Sequence, residues 1–195
     1  MVPDQPGRTD SALRCECCGH TWPLVRLPLF CLTGPSGTGK STVSRLLVES
    51  LSDSYVVLEQ DVLWQAGLRD ESGDHRTFRS AWLRMASMIA QNGRPVVLCG
   101  TVVPPEFEPL PERALFSRIH YLALVCDPEP LTERLTGRPA WRQWDTERIA
   151  ETLAYTEWIR QNAEAFTPPI ALFDTTDATV SDTAEAVREW VLRHR

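Results

Sequence analysis

The chain has 195 residues, 43% of them hydrophobic and 24% charged, with a net charge of −6 at pH 7. This length and composition describe one globular domain large enough for a proper core, and exclude a disordered or fibrous protein. The acidic balance argues against a general nucleic-acid surface, and no apolar stretch approaches the length that spans a bilayer.

Residues 1 to about 12 are polar, broken by prolines and a glycine, and read as mobile. They lack the apolar centre of a secretion signal, so the chain is expected in the cytoplasm with its six cysteines reduced. Cys15-Glu16-Cys17-Cys18-Gly19-His20 opens a cysteine-rich knuckle from Cys15 to Pro23 that resembles one half of a zinc ribbon. Cys15 and Cys18, with His20 or Cys17, make a candidate set of ligands for structural Zn²⁺. A metal-free turn stays open, because no second Cys-x-x-Cys completes four ligands. Cys31, Cys99 and Cys126 lie in or beside apolar runs and read as small buried hydrophobes. The chain is thus divided into residues 1–26, a tail and knuckle, and a domain over 27–195.

That domain begins with Leu27 to Leu32, a short apolar run suited to a strand buried on both faces. It leads into Gly34-Pro35-Ser36-Gly37-Thr38-Gly39-Lys40-Ser41-Thr42, after which Val43, Leu46, Leu47 and Leu51 recur at helical spacing. A strand passing through glycines into a helix is the arrangement a polyphosphate needs. Glycines let successive N–H groups point at phosphate oxygens, and the helix start adds partial positive charge. Lys40 reaches the β- and γ-phosphates, and the Ser41 hydroxyl holds Mg²⁺. Nucleoside triphosphate binding is the expectation.

A second strand, Tyr55 to Glu59, ends near Asp61. A helix follows with Phe78, Trp82, Met85 and Ile89 on one face, stopping at Asn92-Gly93. Val96 to Cys99 is a third strand, turning at Gly100, and Ile119 to Val125 a fourth. Asp127-Pro128 starts a short helix carrying Leu131 and Leu135. Another helix runs from Asp145 to about Asn162, Ile170 to Phe173 is a fifth strand, and a last helix begins near Ser181 or Asp182, with Glu185 as capping partner. Alternating strands and helices predict an α/β fold: a parallel five-stranded sheet of the P-loop NTPase type with helices on both faces, plus the short cysteine knuckle. Ligands bind such sheets at the carboxyl ends of the strands, where Gly34 to Ser41, Asp61, Gly100 and Asp127 should gather.

The absence of an Asn-Lys-x-Asp signature argues against a GTPase, and the chain lacks the apolar run ending in Asp-Glu of a motor-type ATPase. Size and layout over residues 27–195 resemble the small P-loop kinases: nucleoside and nucleotide kinases and shikimate- and gluconate-kinase-like enzymes. The resemblance implies ATP and Mg²⁺ as cofactors and a small-molecule phosphate acceptor. It also implies roles for residues at matching places. Asp61 would face the acceptor hydroxyl as base, orienting group or ligand to a Mg²⁺-bound water; a helix N-cap is its plainer reading. Gly100 would let substrate approach the backbone, or simply make a tight turn. In the stretch Glu133 to Arg142, Arg138 would stabilise charge on the transferred group, and Arg134 would stack on adenine or touch phosphate. The loop Asp174 to Ala178 would lie near the adenine. Acceptor recognition is expected between Leu63 and Gln91, with Trp64, Arg76 and Arg79 as candidates and Trp82 more in keeping with the core. A nucleoside is the first choice of acceptor for a chain working as monomer or homodimer. A nucleoside monophosphate kinase, a sugar-acid kinase and a regulatory ATPase or switch are the alternatives.

Overall fold

A computed structural model describes residues 9–14, 17–70 and 73–195. Its main element is a five-stranded parallel sheet in the order β4-β5-β3-β6-β7. The strands are β3 (Leu29–Thr33), β4 (Val56–Glu59), β5 (Val96–Cys99), β6 (Ile119–Val125) and β7 (Ile170–Asp174). Ahead of them β1 (Thr9–Arg14) and β2 (Thr21–Arg26) form an antiparallel hairpin, Thr9 facing Arg26 and Arg14 facing Thr21. Residues 9–12 therefore pair in a strand instead of forming part of a mobile tail, and Thr21-Trp22-Pro23 belongs to β2 rather than to a knuckle. The reading of residues 1–8 as mobile falls outside the described residues.

The helices are α1 (Lys40–Leu51), α2 (Asp61–Gln65), α3 (Arg76–Ala90), α4 (Pro104–Phe107), α5 (Pro128–Thr136), α6 (Thr146–Asn162) and α7 (Val180–Arg193). Strand alternation assigns them to two layers. Leu29 and Cys31 point to one face, against Trp82 and Leu83 of α3, Phe107 of α4 and Ile159 of α6. Phe30 and Leu32 point to the other, against Val43 and Leu47 of α1 and Val187 and Trp190 of α7. Such side chains are essentially out of water, each contributing about 1.5–3 kcal/mol by area bookkeeping. Trp82 is among them, as its place in the apolar stripe required.

Local chemistry sets several boundaries. Asp145 caps α6, accepting from the Arg148 amide at 2.8 Å. The last helix starts earlier than its acidic residues suggested: Thr179, not Ser181 or Asp182, is the N-cap, and its Oγ1 accepts from the Asp182 amide at 3.1 Å. The hairpin is tied to the end of α3. Gln91 accepts from the Val25 amide and donates to the Val25 carbonyl, each at 3.1 Å, while Val25 and Leu27 pack on Ala90. No helix among the described residues is long and apolar enough to cross a membrane.

Candidate active site

The loop after β3 has its shape for three separate reasons. Gly34 sits at φ +124° with the β6 backbone so close that a Cβ would stand 2.2 Å from the Leu124 carbonyl oxygen. Gly37, at φ +89°, is packed under Leu131 and Leu135 of α5. Gly39, at φ +98°, has open space around it, so its conformation alone demands glycine and its surface stays free for a ligand. Thr38 is buried and donates to the Pro35 carbonyl at 2.9 Å, fixing the turn.

Lys40 reaches back across this loop. Its Nζ donates to the carbonyls of Gly34 at 2.6 Å and Pro35 at 2.7 Å. Burial lowers its pKa to about 8; the Asp61 charge works against that shift and the Arg138 charge with it. Ser36, Gly37, Gly39, Ser41 and Thr42 surround the same chamber, of about 150 Å³. Its far wall brings Glu59 from the end of β4, Asp61 from the start of α2, Cys99 from the end of β5 with Gly100 and Thr101 after it, and Arg138 and Arg142 from the segment between α5 and α6. Burial, reinforced by the Glu59 charge, pushes the Cys99 thiol up to about 12, so it is an uncharged wall rather than a nucleophile.

The two arginines are poised for an anion. Among the described residues neither has a carboxylate partner. Burial and the neighbouring charges of Arg142 and Arg148 depress the Arg138 pKa, against an opposing pull from Asp61. Instead the Arg138 guanidinium lies over the Trp144 ring, 5.2 Å from its centroid, and Arg148 stands over the same ring at 4.2 Å. Arg142 lies over Trp141 at 4.8 Å.

A second chamber of about 180 Å³ adjoins the first, lined by Gln60, Asp61, Trp64, His75, Phe78, Arg79 and Thr101. It is aromatic: Trp64 meets His75 and Phe78 edge to face, with centroids 4.9 Å and 5.6 Å apart. Arg79 is its cation, and it is already occupied, pairing with Asp74 at 3.2 Å and with Glu106. Asp61 and Thr101 line both chambers.

The expected residues therefore divide. Lys40, Ser41, Thr42, Gly37, Gly39, Ser36, Asp61, Gly100 and Arg138 meet in the first chamber; Asp61, Trp64 and Arg79 meet in the second. Gly34, Pro35 and Thr38 act behind the loop surface, through their packing and carbonyls. Arg134 lines neither chamber, because its guanidinium donates to the Thr175 carbonyl at 2.8 Å and the Thr176 carbonyl at 3.3 Å. Arg76 is exposed in the first turn of α3 and lines neither chamber. Glu59, Thr101 and His75 are chamber residues that the sequence reading did not single out, and Arg142 is one it named at the end of the stretch from Glu133 without giving it a role. Glu59 had a legible signal: an acid at the last position of a strand, two before Asp61.

Oxygen donors suit a hard cation, and the first chamber offers the Ser41 hydroxyl with the Glu59 and Asp61 carboxylates. The zinc reading fares differently. Cys15 lies outside the described residues, Cys18 and His20 are exposed, and no group of three or more His, Cys, Asp or Glu able to hold a metal occurs among the described residues.

This architecture, a phosphate loop opening onto a second, aromatic chamber across one aspartate, defines the small P-loop kinase class. Comparison with known proteins agrees. The AAA domain family matches residues 31–152, and the chain belongs to that family as a small P-loop kinase. It is 33% identical over 150 residues to the shikimate kinase of Chlorobaculum tepidum, covering 66% of this chain and 75% of the relative. Among solved structures it resembles a gluconokinase from Sinorhizobium meliloti (19% identity, 87% of this chain and 98% of the other, TM-score 0.56). It also resembles the shikimate kinase from Acinetobacter baumannii in complex with shikimate (21% identity, 87% and 95% covered, TM-score 0.58). At those identities the two structures speak for the fold alone.

Proposed function

We propose that the protein transfers the γ-phosphoryl group of ATP to a hydroxyl of an uncharged small molecule, with a nucleoside as the acceptor. One observation carries this reading: the phosphate chamber and the aromatic chamber share Asp61 and Thr101, so a hydroxyl in one faces a phosphoryl group in the other. Backbone amides of the glycine loop and the Lys40 ammonium hold the β- and γ-phosphates. Arg138, with Arg142, meets the charge that spreads over the transferring group. Asp61 orients the acceptor hydroxyl and takes its proton as the new P–O bond forms and the bond to ADP breaks. Ser41 and Glu59, with Asp61 through a bound water, are the residues that would hold magnesium, which when bound would neutralise charge at the phosphate oxygens.

Support for a nucleoside comes from the second chamber. Its walls are aromatic, and an open pocket of about 180 Å³ gives a flat ring a surface to lie against. An acidic acceptor needs a free cation, whereas Arg79 is neutralised by Asp74 and Glu106. The test is an ADP-release screen with purified protein, Mg·ATP and a panel of nucleosides, nucleotides, sugars, aminocyclitols and sugar acids. Acceptor-dependent ADP release is expected with uncharged hydroxyl compounds, nucleosides foremost. Turnover confined to carboxylic acids or phosphates, or hydrolysis indifferent to every acceptor, would overturn the reading.

A further inference from the structure

His75 is the residue of the second chamber with the least ordinary surroundings. It stands at the N-cap of α3, a position that normally goes to Ser, Thr, Asp or Asn in extended backbone, yet its φ is +55° and its ψ 22°. Asp74 before it is also left-handed, at φ +50°. Positive φ is uncommon outside glycine, and Asp and His are among the residues that adopt it most readily, so the pair turns the chain here without a glycine. Here the surroundings can be named. Asp70, upstream, does the capping: its carboxylate accepts from the Thr77 amide at 2.6 Å and the Phe78 amide at 3.3 Å. Burial works to raise the Asp70 pKa, but those bonds prevail and hold it below the usual range. The Asp70 carbonyl also accepts from the His75 amide at 3.1 Å, and the His75 carbonyl from the Arg79 amide at 3.0 Å. Position 75 is thereby relieved of capping, and its side chain joins the chamber wall beside Trp64.

The two ring nitrogens differ. Nδ1 is buried and has no hydrogen-bond partner among the described residues. With its hydrogen on Nε2 the neutral ring strands no donor at Nδ1. Nε2 is the nitrogen left to meet a ligand. Of the charged groups of this wall, Arg79 is paired twice and Asp61 also borders the first chamber, while Thr101 Oγ1 donates to the Gly34 carbonyl at 3.3 Å.

We infer that His75 determines acceptor specificity, its Nε2–H donating to an acceptor atom (a ring nitrogen or carbonyl) on the edge of a flat, uncharged substrate ring lodged beside Trp64. The inference rests on the assignment of the second chamber to the phosphate acceptor. Two variants share the cost of a left-handed backbone but differ in the donor: His75→Gln keeps an N–H at about the reach of Nε2, and His75→Phe keeps a ring edge and loses the donor. With the best acceptor from the ADP-release panel, His75→Phe should raise the acceptor KM about tenfold, the effect of one lost hydrogen bond, with the KM for ATP unchanged. His75→Gln should stay within about threefold of the parent. The same pair tested against an analogue lacking the ring acceptor atom should show no difference. Equal acceptor KM values for the Phe variant and the parent would overturn the inference while leaving the kinase reading intact, as would equal losses in both variants. A parent enzyme that phosphorylates no uncharged acceptor would remove both. Matching thermal midpoints of the two variants confirm that folding does not account for the difference.

Discussion

The side chain of Gln60 lies directly over Gly100: a Cβ at residue 100 would stand 2.1 Å from Gln60 Oε1 and 2.5 Å from Gln60 Cβ. Gln60 is buried and follows β4, so this contact joins the ends of β4 and β5 at the floor between the two chambers. Gly100→Ala is expected to destabilise the fold by about 1–3 kcal/mol through overpacking. Adding Gln60→Ser should recover part of that loss, since the two positions are in contact and couple. Urea denaturation midpoints of the single and double variants check this.

Asp61→Asn keeps the shape of the shared wall and removes the proton acceptor. Turnover is expected to fall by about 10²–10⁴-fold, the usual scale for a lost general base, while ATP affinity stays within about twofold. Single-turnover kinetics alongside calorimetric ATP titration separate the two quantities.

Lys40 is expected to make ATP binding sensitive to alkaline pH. In the free protein, burial holds its pKa at about 8, and phosphate charge raises it in the complex. Affinity should therefore be level below about pH 8. Above it, affinity should fall by up to tenfold per unit, because binding must then restore a proton the free ammonium has lost. Calorimetry in buffers of differing ionisation heat would register the proton uptake. Lys40→Met should bind weakly, with no such slope.

Trp144 holds Arg138 and Arg148 on one ring. Replacing it by leucine removes both cation–π contacts, each worth about 0.5–1 kcal/mol, and leaves Arg138 less well placed. A two- to fivefold drop in kcat is expected, roughly the rate equivalent of one such contact. Trp144→Phe should keep most of the parent rate. Steady-state kinetics with saturating acceptor measure it.

The fold was legible where chemistry is local. The glycines of the phosphate loop, the apolar runs of β5 and β6, and Asp145 ahead of α6 each state their role within a few residues. Val96–Cys99 was bounded correctly because an uninterrupted apolar run stops at Gly100, and Ile119–Val125 because a mainly apolar run, broken by His120, gives way just before Asp127-Pro128. The hairpin was missed because β1, Thr-Asp-Ser-Ala-Leu-Arg, has no clean alternation and depends on pairing with β2. The start of α7 was misplaced because Thr179 uses Asp182, three residues on, where Glu or Gln is the familiar partner.

The site was legible in part for the same reason. Arg134 and Arg138 look alike on a helical wheel. What separates them is Thr175, 41 residues beyond Arg134, which engages the first, while the second lines the first chamber. Arg79 looks like a free cation until Glu106, 27 residues away, is brought against it. Pairing across the fold decides which charges remain available, and no spacing rule reports that.

The segment bearing Arg138 and Arg142 is moored on both sides. Arg134 fastens the end of α5 to the loop beyond β7, and Arg160 fastens α6 by bonding Asp127 at 3.0 Å and Asp174 at 2.6 Å. Whatever travel the guanidinium groups make must be taken up in residues 137–145, where Gly137 and the left-handed Gln143 offer pivots. A strap pinned at two ends can bow but cannot swing wide, so any approach of the two guanidinium groups to the first chamber would be a short stroke.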